Sequence, residues 1–309
     1  MRNGATGVGL RGQNRYAVHP LNPKPLTVGL VVLTTGNRSD ELKTIMIEAT
    51  SMAFDSRVLV GNGSRPPDMD GWNSVETPDN LGVPAGRAFG VEHCKTDIVV
   101  FLDDDSRLPP AANSLVAAVR QVFTADPTIG ALGFRVVVTG TDETLRRWSP
   151  RPTKSPPSGL TDVPTFPGNG HALRREAFES IGGYLNELFF KHEETELSWR
   201  LLDAGWRVVT DPSIVVEHPY TTESRHEHAI ELGLRNKVWM SRMRLPLIPA
   251  ILGAAVSTAR SLSHCRSLDD VKAVARGVRA GFRTLPGPRT PISWSTVIKL
   301  TRSGRPPIF

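Results

Sequence analysis

Apolar residues along this chain alternate between short continuous runs and helical spacing. Residues 26–34 (LTVGLVVLT) form an apolar, β-branched run closing on Thr35, Gly36 and Asn37, the pattern of a buried strand ending in a turn. Ser39, followed by Asp40 and Glu41, predicts a helix with Ser39 as its N-cap. Residues 57–60 predict a second strand stopped by Gly61-Asn62-Gly63-Ser64, residues 84–93 a helix, and residues 97–102 a third strand running directly into Asp103, Asp104 and Asp105. Strand, helix, strand, helix, strand is the pattern of a mostly parallel α/β sheet, whose ligands sit at the carboxyl ends of the strands.

Further along, 129–138 predicts another strand and the Pro/Ser-rich 149–167 a mobile flap. Residues 174–180 and 193–204 predict helices, the second stopped by Gly205; 206–210 and 214–217 predict two short strands. Beyond Pro219 the period becomes helical. The expected organisation is a loose leader over 1–25, an α/β domain over 26–222 and a basic helical region over 223–309.

Composition excludes a disordered or fibrous chain: of 309 residues, 39% are hydrophobic and 22% charged. The formal net charge of +6 is unevenly placed, since residues 223–309 hold 15 basic and five acidic side chains. Cys94 and Cys265 stand far apart, which argues against a disulfide framework or a cysteine zinc site and fits a reducing cytoplasmic setting. The Gly/Asn/Arg/Pro-rich beginning has no apolar run of the secretory kind. No stretch reaches the roughly 18–20 apolar residues that cross a bilayer; the nearest, 245–256, suits burial or an interface. In 267–283, Leu268, Val271, Val274, Ala275, Val278 and Phe282 share a helical face beside Lys272, Arg276, Arg279 and Arg283. Such a helix either packs on the domain or lies on an anionic membrane surface, giving 245–283 a peripheral location on the inner face of the cell membrane. The six-residue pattern Gly7-Val8-Gly9-Leu10-Arg11-Gly12 lacks the preceding strand of a dinucleotide fingerprint, and His226-Glu227-His228 with Glu231 reads as a charged surface.

The chemistry concentrates in three places. Asp103, Asp104 and Asp105 repel one another at a strand end, so gathering them calls for a cation; hard oxygen donors point to Mg2+ or Mn2+, although an acidic turn or helix cap has the same sequence. Glu193 and Glu194 adjoin at the mouth of a loop, where one carboxylate can serve as a general base, whereas Glu196 and Arg200 form an i,i+4 pair of structural value. His218 closes a turn and short strand, a position equally suited to a packed imidazole and to a metal ligand.

Taken together, residues 26–219 resemble the family 2 glycosyltransferases, inverting enzymes of the GT-A fold, a Rossmann-like sandwich with a mostly parallel sheet. Thr34, Gly36, Asn37 and Arg38 look like the first nucleotide-contacting loop. Asn80-Leu81-Gly82 with Gly86-Arg87 is similar to the donor-side segment, and Asp103-Asp104-Asp105 to the DxD metal motif. Pro167-Gly168-Asn169-Gly170-His171 resembles the stretch before the acceptor site, Glu193-Glu194-Thr195-Glu196-Leu197 with Arg200 the base-bearing helix, and His218 the histidine completing the metal shell. Three departures are visible: Gly61-Asn62-Gly63-Ser64 stands where an Asp usually meets the nucleobase, Glu194 where the base is usually Asp, and Gly183-Tyr184-Leu185-Asn186-Glu187 where the family usually has Gly-Phe-Asp-Glu.

The resemblance implies a nucleotide-diphosphate sugar donor contacted by Thr34, Gly36, Arg38, Asn62, Asn80, Gly82, Arg87, Asp103 and Asp104. It further implies Mn2+ or Mg2+ on Asp103, Asp105 and His218, catalysis by Glu194 with Glu193, and a glycan or lipid-linked acceptor, with no nucleic-acid partner. An aspartate-nucleophile phosphohydrolase and a catalytically silent nucleotide-sugar or lipid-binding module are the alternatives.

Overall fold

Val28, Leu30 and Val32 enter one apolar cluster while Val31 enters another, and the same split divides Ile98, Val100 and Leu102 from Val99 and Phe101. Successive side chains of a strand point to opposite faces, so runs this apolar belong to strands covered on both sides. In the computed structural model, which describes residues 24–150, 159–220 and 228–308, these runs are β1 (Val28–Thr34) and β4 (Ile98–Asp103), hydrogen-bonded to each other in parallel. Residues 1–23, 151–158, 221–227 and 309 lie outside the description, and with them the Gly7–Gly12 stretch, the middle of the expected flap, and His226 and Glu227.

The first half of the sheet adds β2 (Ser56–Asn62) and β3 (Asn73–Thr77), connected through α1 (Ser39–Thr50) and α2 (Gly82–His93). After β4 come η1 (Pro110–Ser114), α3 (Leu115–Ala125), β5 (Ile129–Val138), η2 (Arg146–Trp148), β6 (Thr161–Asp162), β7 (His171–Arg174), α4 (Arg175–Ser180), η3 (Asn186–Leu188), α5 (Glu193–Asp203) and β8 (Arg207–His218). The strand order is β3-β2-β1-β4-β7-β5-β8-β6, with β7 and β6 antiparallel to their neighbours. This is the expected mixed α/β sheet, mostly parallel.

Several local expectations change. Ser39 is the first helical residue rather than a cap; Arg38 precedes it and no side chain caps α1. The two strands expected at 206–210 and 214–217 are one, because β8 absorbs Pro212 in a bulge where the register on β5 jumps from Asp211 to Val215. A proline cannot donate to the ladder, so a bulge is where a strand tolerates it. The strands β3, β6 and β7 were not anticipated: β3 is a half-exposed edge, β6 has two residues, and β7 is four residues opening a helix, all below what periodicity resolves.

The C-terminal region is helical: α6 (Ala229–Arg244), α7 (Leu247–Ser263), α8 (Leu268–Arg283) and α9 (Trp294–Arg302). Met240, Leu245, Ala250, Ile292, Val297 and Leu300 share the apolar cluster of Phe101, Leu173 and Leu197. Glu196, expected to form an i,i+4 pair with Arg200, does so while fully buried; Arg200 bonds both its carboxylate oxygens, and Arg244 Nε from α6 adds a third contact at 2.7 Å. One carboxylate thus ties α5 to the C-terminal helices. Among the described residues no helix is long and apolar enough to cross a membrane.

Candidate functional site

Parallel strands bring their carboxyl ends to one edge. Leu33 of β1 pairs with Asp103 of β4, and Thr34 with Gly61 of β2, so the ends of the three strands stand side by side. The acidic triplet leaves β4 there. Asn169 shapes the turn, its Oδ1 accepting from Asp103 N (3.0 Å) and Ser106 Oγ (2.8 Å). Two residues past the triplet, Arg107 exchanges backbone hydrogen bonds with Glu217, each 2.9 Å, which pulls the loop across to the end of β8. Residues more than 110 positions apart thereby meet: His218 Nε2 lies 3.2 Å from Asp105 Oδ1 and 3.6 Å from Asp103 Oδ2.

His218 Nδ1 donates to the Pro219 carbonyl at 2.8 Å, which fixes the ring and turns Nε2 to the two carboxylates. Burial disfavours a charged imidazole, but hydrogen bonds and charge from Asp103 and Asp105 prevail and push His218 up to about 10. Asp103 experiences the converse. Desolvation opposes its charge, yet the hydrogen bond with His218 and the Arg87 and Arg38 cations hold it well below the usual carboxylate range. One ligand atom from each of Asp103, Asp105 and His218 falls within 4.8 Å of the others, and among the described residues this is the one acidic and imidazole group so arranged. Two carboxylate oxygens and an imidazole nitrogen suit a divalent cation such as Mn2+, which would take the place of the shared proton.

Asp104 is engaged differently. Its carboxylate accepts from Thr34 Oγ1 (2.7 Å) and Arg38 (2.7 Å), and Arg38 also reaches Asp105 at 3.0 Å. Desolvation raises the Asp104 pKa against these two bonds. Thr34 Oγ1 also accepts from Gly36 N, and Gly36 takes φ +80, which glycine alone adopts without strain. Asn62 is buried among the residues that open α2: it bonds Asn80, Leu81, Gly82 and Thr77. Gly82, at φ +81, packs against the backbone of Phe189, where a Cβ would collide. Thr34, Gly36, Arg38, Asn62, Asn80 and Gly82 thus line one edge, with Asn62 building its shape.

Arg87 joins the two halves of the site. Four per cent exposed, it spans Asp103 (3.2 Å), Glu194 (3.1 Å), Glu193 (3.7 Å) and the Gly168 carbonyl (2.7 Å). Burial weighs against its charge, but the surrounding anionic groups keep the guanidinium protonated. Glu193 and Glu194 separate by environment. Glu193 is buried, and desolvation together with the adjoining Glu194 drives its pKa well above the ordinary value. The Glu194 side chain stays partly exposed and rests against Gly168, where any Cβ would strike its carboxylate. Behind them His171, held well below its usual pKa by burial, is a neutral imidazole between Phe101 and Phe166 and bonded to Tyr184.

Three features escaped sequence reasoning. Asn169 Nδ2 is buried and has no hydrogen-bond partner among the described residues, and its orientation is fixed by the two donors on Oδ1. The loop before α5 carries three non-glycine residues with positive φ, Phe189 (62), Lys191 (73) and His192 (73), each costing about 1–2 kcal/mol. Fully buried Asn236 of α6 donates from Nδ2 to the carbonyls of Leu188 (2.9 Å), Phe190 (2.8 Å) and Lys191 (2.9 Å), holding that loop. An asparagine within a helix gives no sequence signal of this role.

The architecture is that of the GT-A glycosyltransferases. The chain superposes on GalNAc-T7 solved with UDP, GalNAc and Mn2+ (TM-score 0.59, 16% identity, 84% of this chain and 55% of that one). It likewise superposes on the mannosyltransferase PcManGT of Pyrobaculum calidifontis in complex with GDP-Man and Mn2+ (TM-score 0.51, 18% identity, 91% and 85%). Residues 69–182 match the family model described as Glycosyl transferase family 2. Proteins from two Mycobacterium tuberculosis strains, CDC 1551 / Oshkosh and H37Rv, each named Pre-mycofactocin glycosyltransferase, are 26% identical over 211 residues. That alignment covers 63% of this chain and 43% of each relative, so the chain spans less than half their length. Over residues 69–182 the chain is thus similar to the family 2 glycosyltransferases.

Proposed function

We propose that the chain moves a sugar from a nucleotide-diphosphate donor to an acceptor hydroxyl by a single displacement that inverts the anomeric centre. The observation carrying this reading is the convergence of Asp103, Asp105 and His218 within 4.8 Å, joined by Arg87 to Glu194. Asp103, Asp105 and His218 would hold Mn2+ or Mg2+, which supplies charge neutralisation at the diphosphate leaving group. Thr34, Gly36, Arg38 and the Asn80–Gly82 turn face the nucleotide. Arg38 already spans Asp104 and Asp105, so phosphate oxygens entering there meet a guanidinium.

Glu194 takes the proton from the attacking hydroxyl, and Arg87 fixes the orientation of its carboxylate. Glu193, whose pKa burial and the adjoining Glu194 raise, is its supporting neighbour. A partnerless donor at Asn169 Nδ2 suits an oxygen of the incoming substrate. The mycobacterial relatives, named for glycosyl transfer, and the donor-bound GT-A structures support the reaction class. The acceptor we assign is a lipid-linked glycan or another glycoside.

The test is metal-dependent nucleotide release from UDP-, dTDP- and GDP-sugars, with p-nitrophenyl phosphate as the control substrate. Mn2+-dependent turnover of one nucleotide-sugar, lost by at least about 100-fold in Glu194→Gln with nucleotide affinity unchanged, is expected. Cleavage of p-nitrophenyl phosphate alone would replace the transferase with a phosphohydrolase; binding without turnover would leave a silent module.

A further inference from the structure

The outward face of α7 is apolar over most of its length, with Arg260 and Ser263 exposed near its C-terminal end. Leu247, Ile248, Ile251, Leu252 and Leu262 are 46–69% exposed, with Ala255 and Ala259 exposed between them. The opposite face, Pro249, Ala250, Gly253, Ala254 and Ser257, is buried against the body of the protein. A helix of 17 residues is about 25 Å long, so this is a ridge rather than scattered exposure.

On α8 the apolar stripe expected to act as one unit is divided. Val274, Gly277 and Gly281 face inward, and the glycines let α6 approach so closely that a Cβ at either would strike it. Leu268 (79%), Val271 (41%) and Phe282 (53%) are left exposed beside Lys272, Arg276, Arg279 and Arg283. Lys272 and Arg276 have carboxylate partners in Asp269 and Glu231, but among the described residues Arg260, Arg279 and Arg283 have none.

We propose that this surface docks on an anionic lipid bilayer, with α7 lying in the interface and the arginines meeting lipid phosphates. The apolar ridge of α7 and the exposed cations of α8 belong to adjoining helices, the combination an anionic interface rewards. A second copy of the chain is disfavoured as occupant, because two regions of 15 basic and five acidic side chains would be brought together. Docking would bring the enzyme to a lipid-linked acceptor while its nucleotide-sugar arrives from solution. Vesicle binding does not depend on the transferase reading, which fails or stands by turnover alone.

The experiment is sedimentation of the full chain with phosphatidylcholine vesicles containing or lacking phosphatidylglycerol, at about 0.1 M and about 1 M salt, where the Debye length falls from about 10 Å to about 3 Å. Binding to the anionic vesicles at low salt is expected. Ile248→Asp with Ile251→Asp should reduce it by at least about tenfold, and Arg279→Glu with Arg283→Glu should lower it by about 25-fold or more, at roughly fivefold per lost cation. Circular dichroism confirms that each variant is folded. Absence of pelleting at low salt, pelleting of the variants to the wild-type extent, or a concentration-dependent dimer abolished by Ile248→Asp in place of vesicle binding would each overturn the proposal.

Discussion

Replacing Arg87 with methionine tests the connection between the carboxylates proposed above to carry metal and proton chemistry. The guanidinium is 4% exposed and touches Asp103, Glu193 and Glu194 together with the Gly168 carbonyl. Methionine fills comparable space and leaves the acidic groups facing one another. Removing one partner of a buried ion pair costs about 3–5 kcal/mol, because the remaining charge stays desolvated. At about 2 °C per kcal/mol for a domain of this size, the melting temperature should fall by about 6–10 °C. The fold should survive, since native stabilities are typically about 5–15 kcal/mol.

Activity should fall further than stability. Without Arg87 the Glu193 proton is held more tightly, since Arg87 is what lowers that pKa, and Glu194 loses the contact orienting it. A loss of about 100-fold or more in kcat is expected, the scale on which a misplacement of about 1 Å acts. Arg87→Lys keeps the charge without the fork and should recover stability better than kcat. Thermal melts with initial-rate kinetics on the same preparations provide the readout. A folded Arg87→Met variant with unchanged melting temperature and kcat within about threefold of wild type would refute the reasoning.

Two further substitutions probe α5, which carries Glu193 and Glu194. Asn236→Asp is nearly isosteric but cannot donate to the Leu188, Phe190 and Lys191 carbonyls, so it should match Asn236→Ala: about 1–3 kcal/mol lost, kcat down by at least about tenfold and nucleotide affinity preserved, read by calorimetry and turnover. Burial and the adjoining Glu194 raise the Glu193 pKa above the ordinary value of 4.5, so its contribution to stability is complete below that pH and is lost as pH rises toward the folded value. The stability of Glu193→Gln relative to wild type should therefore increase between about pH 4.5 and pH 7.5 in urea titrations; a constant difference would mean that folding does not raise the Glu193 pKa.

The central strands were legible because their side chains pack on both faces and leave apolar runs that read unambiguously. Asp103-Asp104-Asp105 was visible as an acidic cluster at a strand end, but an acidic turn or cap has the same sequence, and only the fold brings His218 to it. The pairing of Asp105 with His218 was not readable from spacing, because it depends on the Arg107–Glu217 bridge and on the bulge that carries β8 past Pro212. Arg87 appeared only as part of a donor-side segment; its grip on Asp103 and Glu194 follows from α2 crossing behind two distant loops. Asn236 and the left-handed turn at Phe189–His192 left no periodic trace, since a buried polar residue in a helix looks like any exposed one. The α8 stripe misled in part, because an apolar period does not reveal that glycines make the contact with α6.

The most direct measurement is titration of Mn2+ into the wild-type chain and into Asp105→Asn and His218→Ala, followed by electron paramagnetic resonance with and without nucleoside diphosphate. Stoichiometric binding by the wild type, weakened by at least about tenfold in both variants, is predicted for a cation held by Asp103, Asp105 and His218. Equal Mn2+ affinity in all three proteins would place the ion elsewhere and contradict it.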